Sequence, residues 1–127
     1  MNKSIIITAA LLGTVAVTAG AFGAHGLKAV ITPAQLAVWH TAVEYNFYHV
    51  FALLFLATFA RGKNSWVTAA YYLFTIGIVC FSGSLYLLAC RDLLHIETKF
   101  IGPITPLGGL LFIMGWLSLA IAAARSK

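Results

Sequence analysis

The fold follows from the stretch Pro33–Ala60, which reads PAQLAVWHTAVEYNFYHVFALLFLATFA. At 1.5 Å per residue, a helix over this stretch is about 42 Å long, more than the roughly 30 Å hydrocarbon core of a bilayer. Its first half carries several ionisable and amide side chains, and its second half is almost wholly apolar. An ionisable group costs free energy in lipid, so each one needs a partner or a purpose. The stretch therefore predicts a tilted or protruding transmembrane helix with a polar stripe.

The composition places the whole chain in the membrane class. Its 127 residues are 61% hydrophobic and only 9% charged, and the mean hydropathy is +0.95. Soluble domains carry about 25% charged residues. At about 20 residues per span, this length predicts one all-α domain, residues 1–127, with four transmembrane helices and no separate soluble part.

Hydropathy and helix-start signals place the four spans at about residues 4–24, 33–60, 66–89 and 106–124. Thr32, Pro33 and Gln35 form a capping-box pattern before the second span, and Thr105–Pro106 predicts a similar cap before the fourth. Residues 19–21, Ala-Gly-Ala, resemble a signal-peptide cleavage site. The region before the first span has only one lysine, however, and the span carries a stripe of small residues, so we expect it to be retained.

The basic residues predict the orientation of the helices. The net charge is +5, but the eight lysines and arginines are scattered, which does not suit a nucleic-acid groove. Five of them fall on the side of the two termini and three on the other side. The positive-inside rule then puts both termini in the cytoplasm. The two sets are Lys3, Arg61, Lys63, Arg125 and Lys127, and Lys28, Arg91 and Lys99.

Small residues at helical spacing predict close helix packing. The first span has Ala9, Gly13, Ala16, Gly20 and Ala24 on one face, and the fourth has a similar face. Such faces let helix backbones approach closely in lipid. We therefore assign packing roles to five glycines and expect the chain to form homo-oligomers through these faces. The five are Gly13, Gly20, Gly83, Gly108 and Gly115, and the face of the fourth span is completed by Ser118 and Ala122.

A helical projection of the second span divides its side chains. Thr41, Glu44, Tyr45, Tyr48 and His49 fall on one side at 100° per residue. We expect the opposite side to face lipid and Asn46 to contact another helix or a second subunit. The predicted lipid-facing residues are Trp39, Val43, Val50 and Leu54. In the predicted topology all four histidines and all three acids lie in the outer half of the membrane.

Three interpretations of this polar stripe remain open. Glu44 and the histidines could hydrogen-bond neighbouring helices and so select one packing arrangement. Glu44 with His40 or His49 could instead carry protons or ions, as intramembrane carboxylates and imidazoles do. A divalent metal is a third option, because His and Glu four residues apart can reach one ion, but no complete ligand set is visible.

No catalytic motif is legible. Ser82-Gly-Ser84 lacks the nucleophile elbow of a hydrolase. The run Gly20–Gly26 follows an apolar helix and not a strand, so it does not fit a dinucleotide loop. We interpret it as helix packing followed by a helix stop, with Gly26 in the left-handed conformation. The sequence thus predicts a protein that is not an enzyme and has no cofactor and no bound metal.

Four segments of the chain form a combined pattern: Gly20–Leu27 (GAFGAHGL), Tyr45 with His49, Phe81–Tyr86 (FSGSLY), and Ile104–Leu110 (ITPLGGL) with Gly115-Trp116. Together they resemble the domain-of-unknown-function 423 family of small bacterial inner-membrane proteins, which is similar to the eukaryotic transmembrane protein 256. The resemblance implies a four-helix integral membrane protein but no activity. It also implies that six polar residues belong to family motifs, whereas Glu44 lies outside them. The six are His25, Tyr45, His49, Ser82, Ser84 and Thr105.

The candidate polar or ion site therefore combines those six residues with Glu44 and Tyr48. The first functional hypothesis is a non-enzymatic membrane protein with a structural, assembly or stress-related role. The alternative is a small proton-, ion- or metal-linked transporter or channel that uses Glu44 and His49. The expected partners are the lipid bilayer and a second copy of the chain, with no nucleic acid and no ligand identified.

Overall fold

The computed structural model describes residues 2–59 and 62–126 and is all-helical over them. Its helices are α1 (Lys3–Ala24), α2 (Pro33–Phe59), α3 (Ser65–Ala89), a short α4 (Arg91–Leu94) and α5 (Ile104–Ala124), with a 3-10 turn at Leu27–Ala29. Four of these helices are long and apolar enough to cross a membrane. The predicted four spans are confirmed, and the predicted end of the second at Ala60 lies outside the described residues.

The start of α2 is capped as the sequence predicts. The Gln35 backbone N–H donates to the Thr32 hydroxyl at 3.1 Å, and the Thr32 N–H donates to the Gln35 side-chain oxygen at 3.0 Å. The amide of Gln35 also donates to Asp92 Oδ2 at 2.6 Å. The same side chain thus satisfies the first turn of α2 and holds α4 against it.

Two other predicted helix ends are wrong. The helix α5 begins at Ile104, so Thr105 lies inside its first turn and its hydroxyl bonds Ser84 on α3 instead of capping. Gly26 has φ −66°, which is right-handed, because the chain after α1 continues into the 3-10 turn. A left-handed stop is therefore not needed there.

Each long helix packs most closely against its neighbours in sequence, in the order α1, α2, α3, α5. Side chains also join helices that are not sequence neighbours: the hydroxyls of Thr8 on α1 and Tyr71 on α3 lie 2.7 Å apart. One apolar core draws residues from all four long helices, including Ile5, Leu53, Phe74 and Phe112. The four spans therefore form one bundle.

Phenylalanine rings lie over glycines where α3 meets α5. A Cβ placed on Gly77 would lie 2.6 Å from the Phe112 ring, and one on Gly115 would lie 2.7 Å from the Phe74 ring. One on Gly108 would lie 2.7 Å from the Phe81 Cα, so the two backbones themselves are in contact there. The packing roles of Gly108 and Gly115 are confirmed and Gly77 was missed. The predicted packing role of Gly83 is wrong, because a Cβ placed there would have no atom of the other described helices within 4 Å.

The helix α1 covers the side of α2 that the projection had assigned to lipid. Gly13 faces Val50 and Gly20 faces Val43, each at ordinary contact distance, and Gly23 lies directly against the Trp39 ring. The Trp39 indole N–H donates to the Ala19 carbonyl at 2.8 Å. The prediction of lipid exposure is therefore wrong for Trp39 and Val50, which are buried, and for Val43, which is half-buried; Leu54 is exposed as expected. The small-residue faces of α1 and α5 are used inside the bundle.

Gly108→Ala and Gly83→Ala form a matched pair of substitutions within helices. Each gains up to about 1 kcal/mol of helix propensity. The new methyl group at position 108 overlaps the Phe81 backbone, so we expect Gly108→Ala to lose about 1–3 kcal/mol net. Gly83→Ala should be neutral or stabilising. Thermal unfolding in detergent micelles, followed by circular dichroism, checks both, and equal melting temperatures for the two variants would contradict the close contact.

Candidate functional site

His49 is at the centre of the aromatic core. It lies on α2 and is only 3% exposed. Its ring stacks on Phe112 of α5 with centroids 3.6 Å apart and an angle of 7°, and it lies 5.5 Å from the ring of Phe74 on α3. The imidazole therefore packs as an aromatic ring between three helices.

Both ring nitrogens of His49 have partners of fixed hydrogen-bonding character. Trp116 Nε1–H donates to His49 Nε2 at 3.0 Å. An indole nitrogen can only donate, so Nε2 must be the acceptor. His49 Nδ1 lies 2.8 Å from the Tyr45 carbonyl oxygen, which can only accept, so this nitrogen carries the proton. The geometry selects a neutral imidazole, because a proton on Nε2 would break the bond from Trp116.

The predicted serines and threonine form interhelix hydrogen bonds. Ser82 Oγ on α3 donates to the Ala42 carbonyl on α2 at 2.8 Å. Ser84 Oγ donates to the Phe81 carbonyl at 2.9 Å and lies 2.5 Å from the Thr105 hydroxyl on α5. The structure thus brings Ser84 and Thr105 together. Ser82 bonds separately, to the backbone of α2.

Three further polar contacts were missed by the choice of site residues. Asn46 Nδ2 donates to Tyr86 Oη on α3 at 3.0 Å, which confirms that Asn46 contacts another helix. Ser118 Oγ on α5 donates to the Trp66 carbonyl at 2.7 Å. The third is the Trp116–His49 bond. The sequence could have indicated the contacts of Asn46 and Ser118, because a single amide or hydroxyl within an apolar span needs a hydrogen-bond partner on a neighbouring helix.

Glu44 and Tyr48 are exposed on the outside of the bundle, whereas the ring of Tyr45 packs against Phe81 of α3, with centroids 4.8 Å apart. Tyr48 Oη donates to Glu44 Oε2 at 3.4 Å, a long hydrogen bond between neighbouring turns of one helix. The predicted stripe therefore divides. Glu44 and His49 are five residues apart, or about 140° around the helix axis, so one lies on the surface when the other lies in the core.

His25 also lies apart from the other candidates. It is exposed at the end of α1, and its Nδ1 lies 3.0 Å from the Ala21 carbonyl of its own helix. The eight candidate residues thus divide among several contacts, with Tyr45 beside His49 and Ser84 beside Thr105, and they do not form a single polar or ion site. Within residues 2–59 and 62–126, no three His, Cys, Asp or Glu side chains come close enough to hold a metal ion.

A groove of about 410 Å³ opens beside α1, next to the aromatic pair Trp39 and Tyr86. Its lining is almost entirely apolar and includes neither Glu44 nor His49. The remaining lining residues are Thr14, Val15, Thr18, Ala19 and Phe22. The groove therefore provides an apolar surface, and its lining includes no acidic, basic or histidine side chain.

The Trp116–His49 bond should be measurable as an energetic coupling. We expect a double-mutant cycle of His49→Phe and Trp116→Phe to give about 0.6–2 kcal/mol, the range of hydrogen bonds between membrane helices. Reversible unfolding in mixed detergent micelles provides the free energies. A cycle of His25→Phe with Trp116→Phe is the control and should give none. A His49–Trp116 coupling as small as the control would contradict the assigned bond.

Comparison with known proteins places the chain among membrane proteins. Residues 19–109 match the family described as "Protein of unknown function (DUF423)". The chain is similar to the UPF0382 membrane protein YwdK of Bacillus subtilis, 44% identical over 126 residues, covering 97% of this chain and 98% of the relative. A UPF0382 membrane protein of Haemophilus influenzae is 38% identical over 127 residues, covering 100% of this chain and 98% of the relative. No solved structure matches the chain.

Proposed function

Since this chain belongs to the DUF423 family of membrane proteins, we propose that it is a non-enzymatic structural or assembly protein of the bacterial inner membrane. The observation that carries the proposal is the state of His49. Both of its ring nitrogens are engaged, and the ring lies between aromatic side chains of the core. A buried histidine used in this way stabilises one packing of α2, α3 and α5.

The other polar groups support the same role. The hydroxyls of Ser82 and Ser84 donate to carbonyl oxygens, so neither is poised against a base for nucleophilic attack. The Ser82 bond joins α2 to α3, and a bond between the Ser84 and Thr105 hydroxyls joins α3 to α5. In lipid, polar contacts and close backbone approach hold helices together, because the hydrophobic effect does not act between them.

The alternative transporter hypothesis requires Glu44 and His49 to share one path across the membrane. Glu44 lies on the outer surface of α2, and His49 is enclosed in the core about 140° around the same helix. A relay through His49 would also have to break its bond from Trp116 at each protonation. The assembly role does not require Glu44 and His49 to share a path, and it leaves the bond between Trp116 and His49 intact.

The two roles differ in a flux measurement. We expect proteoliposomes of the purified chain to show the same proton and cation leak as empty liposomes under an imposed pH gradient, because Glu44 lies on the surface and His49 in the core. Glu44→Gln should leave that leak unchanged. Flux that depends on the protein and is abolished by Glu44→Gln would contradict the proposal and favour transport.

The proposed topology has both termini in the cytoplasm. It rests on the excess of lysine and arginine on that side. A green fluorescent protein fused after residue 127 should fluoresce, and alkaline phosphatase at the same place should be inactive. Phosphatase inserted between Glu97 and Gly102, in the loop before α5, is the matched control and should be active. The reverse pattern would overturn the topology.

A further inference from the structure

We propose that the outward face of α2 binds the same face of a second copy of this chain, with His40 and Glu44 forming reciprocal pairs across a two-fold axis. This inference deepens the proposed assembly role and rests on it. The outward face is defined here as Ala37, His40, Glu44, Tyr48, Phe51 and Phe55, all exposed in the single chain. It lies away from the side of α2 that contacts α1 and α3.

The spacing of the outward face fits a pair of helices. Glu44, Tyr48, Phe51 and Phe55 are separated by four, three and four residues. A repeat of seven residues keeps one seam against a partner helix in a left-handed pair. The two phenylalanines of the seam are 60% and 55% exposed in the single chain. They would supply interdigitating contacts in the apolar half of the seam.

Glu44 makes this face differ from an ordinary lipid-facing surface. About 20 residues cross the hydrocarbon core, so counting back from Phe59 puts Glu44 roughly one turn inside it. A carboxylate near the centre of a membrane costs up to about 2.5–3.5 kcal/mol, and intramembrane acids almost always face a partner. Among the described residues, the hydrogen-bond partner of Glu44 is the Tyr48 hydroxyl, at the long distance of 3.4 Å. A second polar group from outside the chain would lower this cost.

His40 supplies a complementary group on the same face. It lies one turn before Glu44 and is exposed. Two copies inserted in the same direction have parallel α2 helices related by an axis along the membrane normal. His40 of one copy then lies about 6 Å in height from Glu44 of the other, within reach of the two side chains. A two-fold axis produces each contact twice, so His40 of each copy pairs with Glu44 of the other.

A second copy suits this surface better than an unrelated helix because the face already holds both halves of the pair. An unrelated helix would have to supply a donor for Glu44 and an acceptor for His40 at the same spacing. The small-residue faces are not free for this purpose, because Gly108, Gly115 and Ala16 are buried within the bundle. The exposed hydrogen-bonding groups are therefore self-complementary and point to a symmetric dimer.

Energy transfer between donor- and acceptor-labelled full-length copies in liposomes tests the dimer as the protein-to-lipid ratio is varied. We expect the unmodified chain to dimerise. Glu44→Gln and His40→Gln each remove one half of the pair, so each should raise the dimer Kd about tenfold. Combining His40→Glu with Glu44→His restores both pairs in a symmetric interface and should recover most of the affinity.

Disulfide cross-linking tests the face independently. In a chain with the free cysteines Cys80 and Cys90 replaced by alanine, Phe51→Cys should form a covalent dimer on mild oxidation. Leu117→Cys on α5 is the matched control, since that residue is equally exposed, at 59%, and lies at a comparable distance from the C-terminus of its helix. It should not form a covalent dimer. Melting curves of both variants check that the bundle is intact.

Each of several outcomes would overturn the dimer. A chain that is monomeric at every protein-to-lipid ratio has a lipid-facing Glu44. Dimerisation that all three pairing variants leave unchanged, or that the combined exchange fails to recover, shows that His40 and Glu44 do not pair. Cross-linking through Leu117→Cys alone would move the interface to α5. None of these results affects the flux measurement, so a monomer without flux refutes the dimer and leaves the non-transport role standing.

Discussion

The rest of this bundle depends on the contacts that the ring of Phe112 makes. On one side the ring lies against Gly77 of α3, at a distance that leaves no room for a Cβ. It also stacks on the imidazole of His49 from α2 at 3.6 Å. The glycine lets α5 approach α3 closely, and the stacked imidazole joins α5 to α2 through a side-chain contact. One side chain therefore links three helices.

The polar contacts become possible because of that close approach. The hydroxyls of Ser84 and Thr105 meet where α3 and α5 touch, near the backbone contact of Gly108 with Phe81. Trp116, one turn beyond Phe112, reaches His49 Nε2. Lipid offers these groups no hydrogen bonds, so each of them is satisfied by a neighbouring helix. Glu44 lies on the outer surface of α2 instead, where the proposed contact with a second copy takes the place that helix packing has inside the bundle.

The sequence predicted individual elements well where a local rule was sufficient. The reciprocal bonds of Thr32 and Gln35 were predicted because a capping box involves only four consecutive residues. The close packing at Gly108 and Gly115 was predicted from small residues on one face of a helix. Thr105 was misassigned because the same Thr-Pro pair can cap a helix or, as here, direct a hydroxyl to a neighbouring helix. Only the position of Ser84 on α3 distinguishes the two.

The sequence by itself determined four helices that are long and apolar enough to cross a membrane, with ends within about two residues of those observed, because bilayer thickness sets the length of apolar helix that is needed. The neighbours of each helix face were decided only by the tertiary structure. Trp39 and Val50 were expected to face lipid and instead lie under α1. Glu44 and His49, expected together, are divided between surface and core. The reason is physical, because lipid tails and protein interiors are equally apolar. Hydropathy therefore predicts which helices leave water, but it does not predict whether a helix face contacts lipid or another helix.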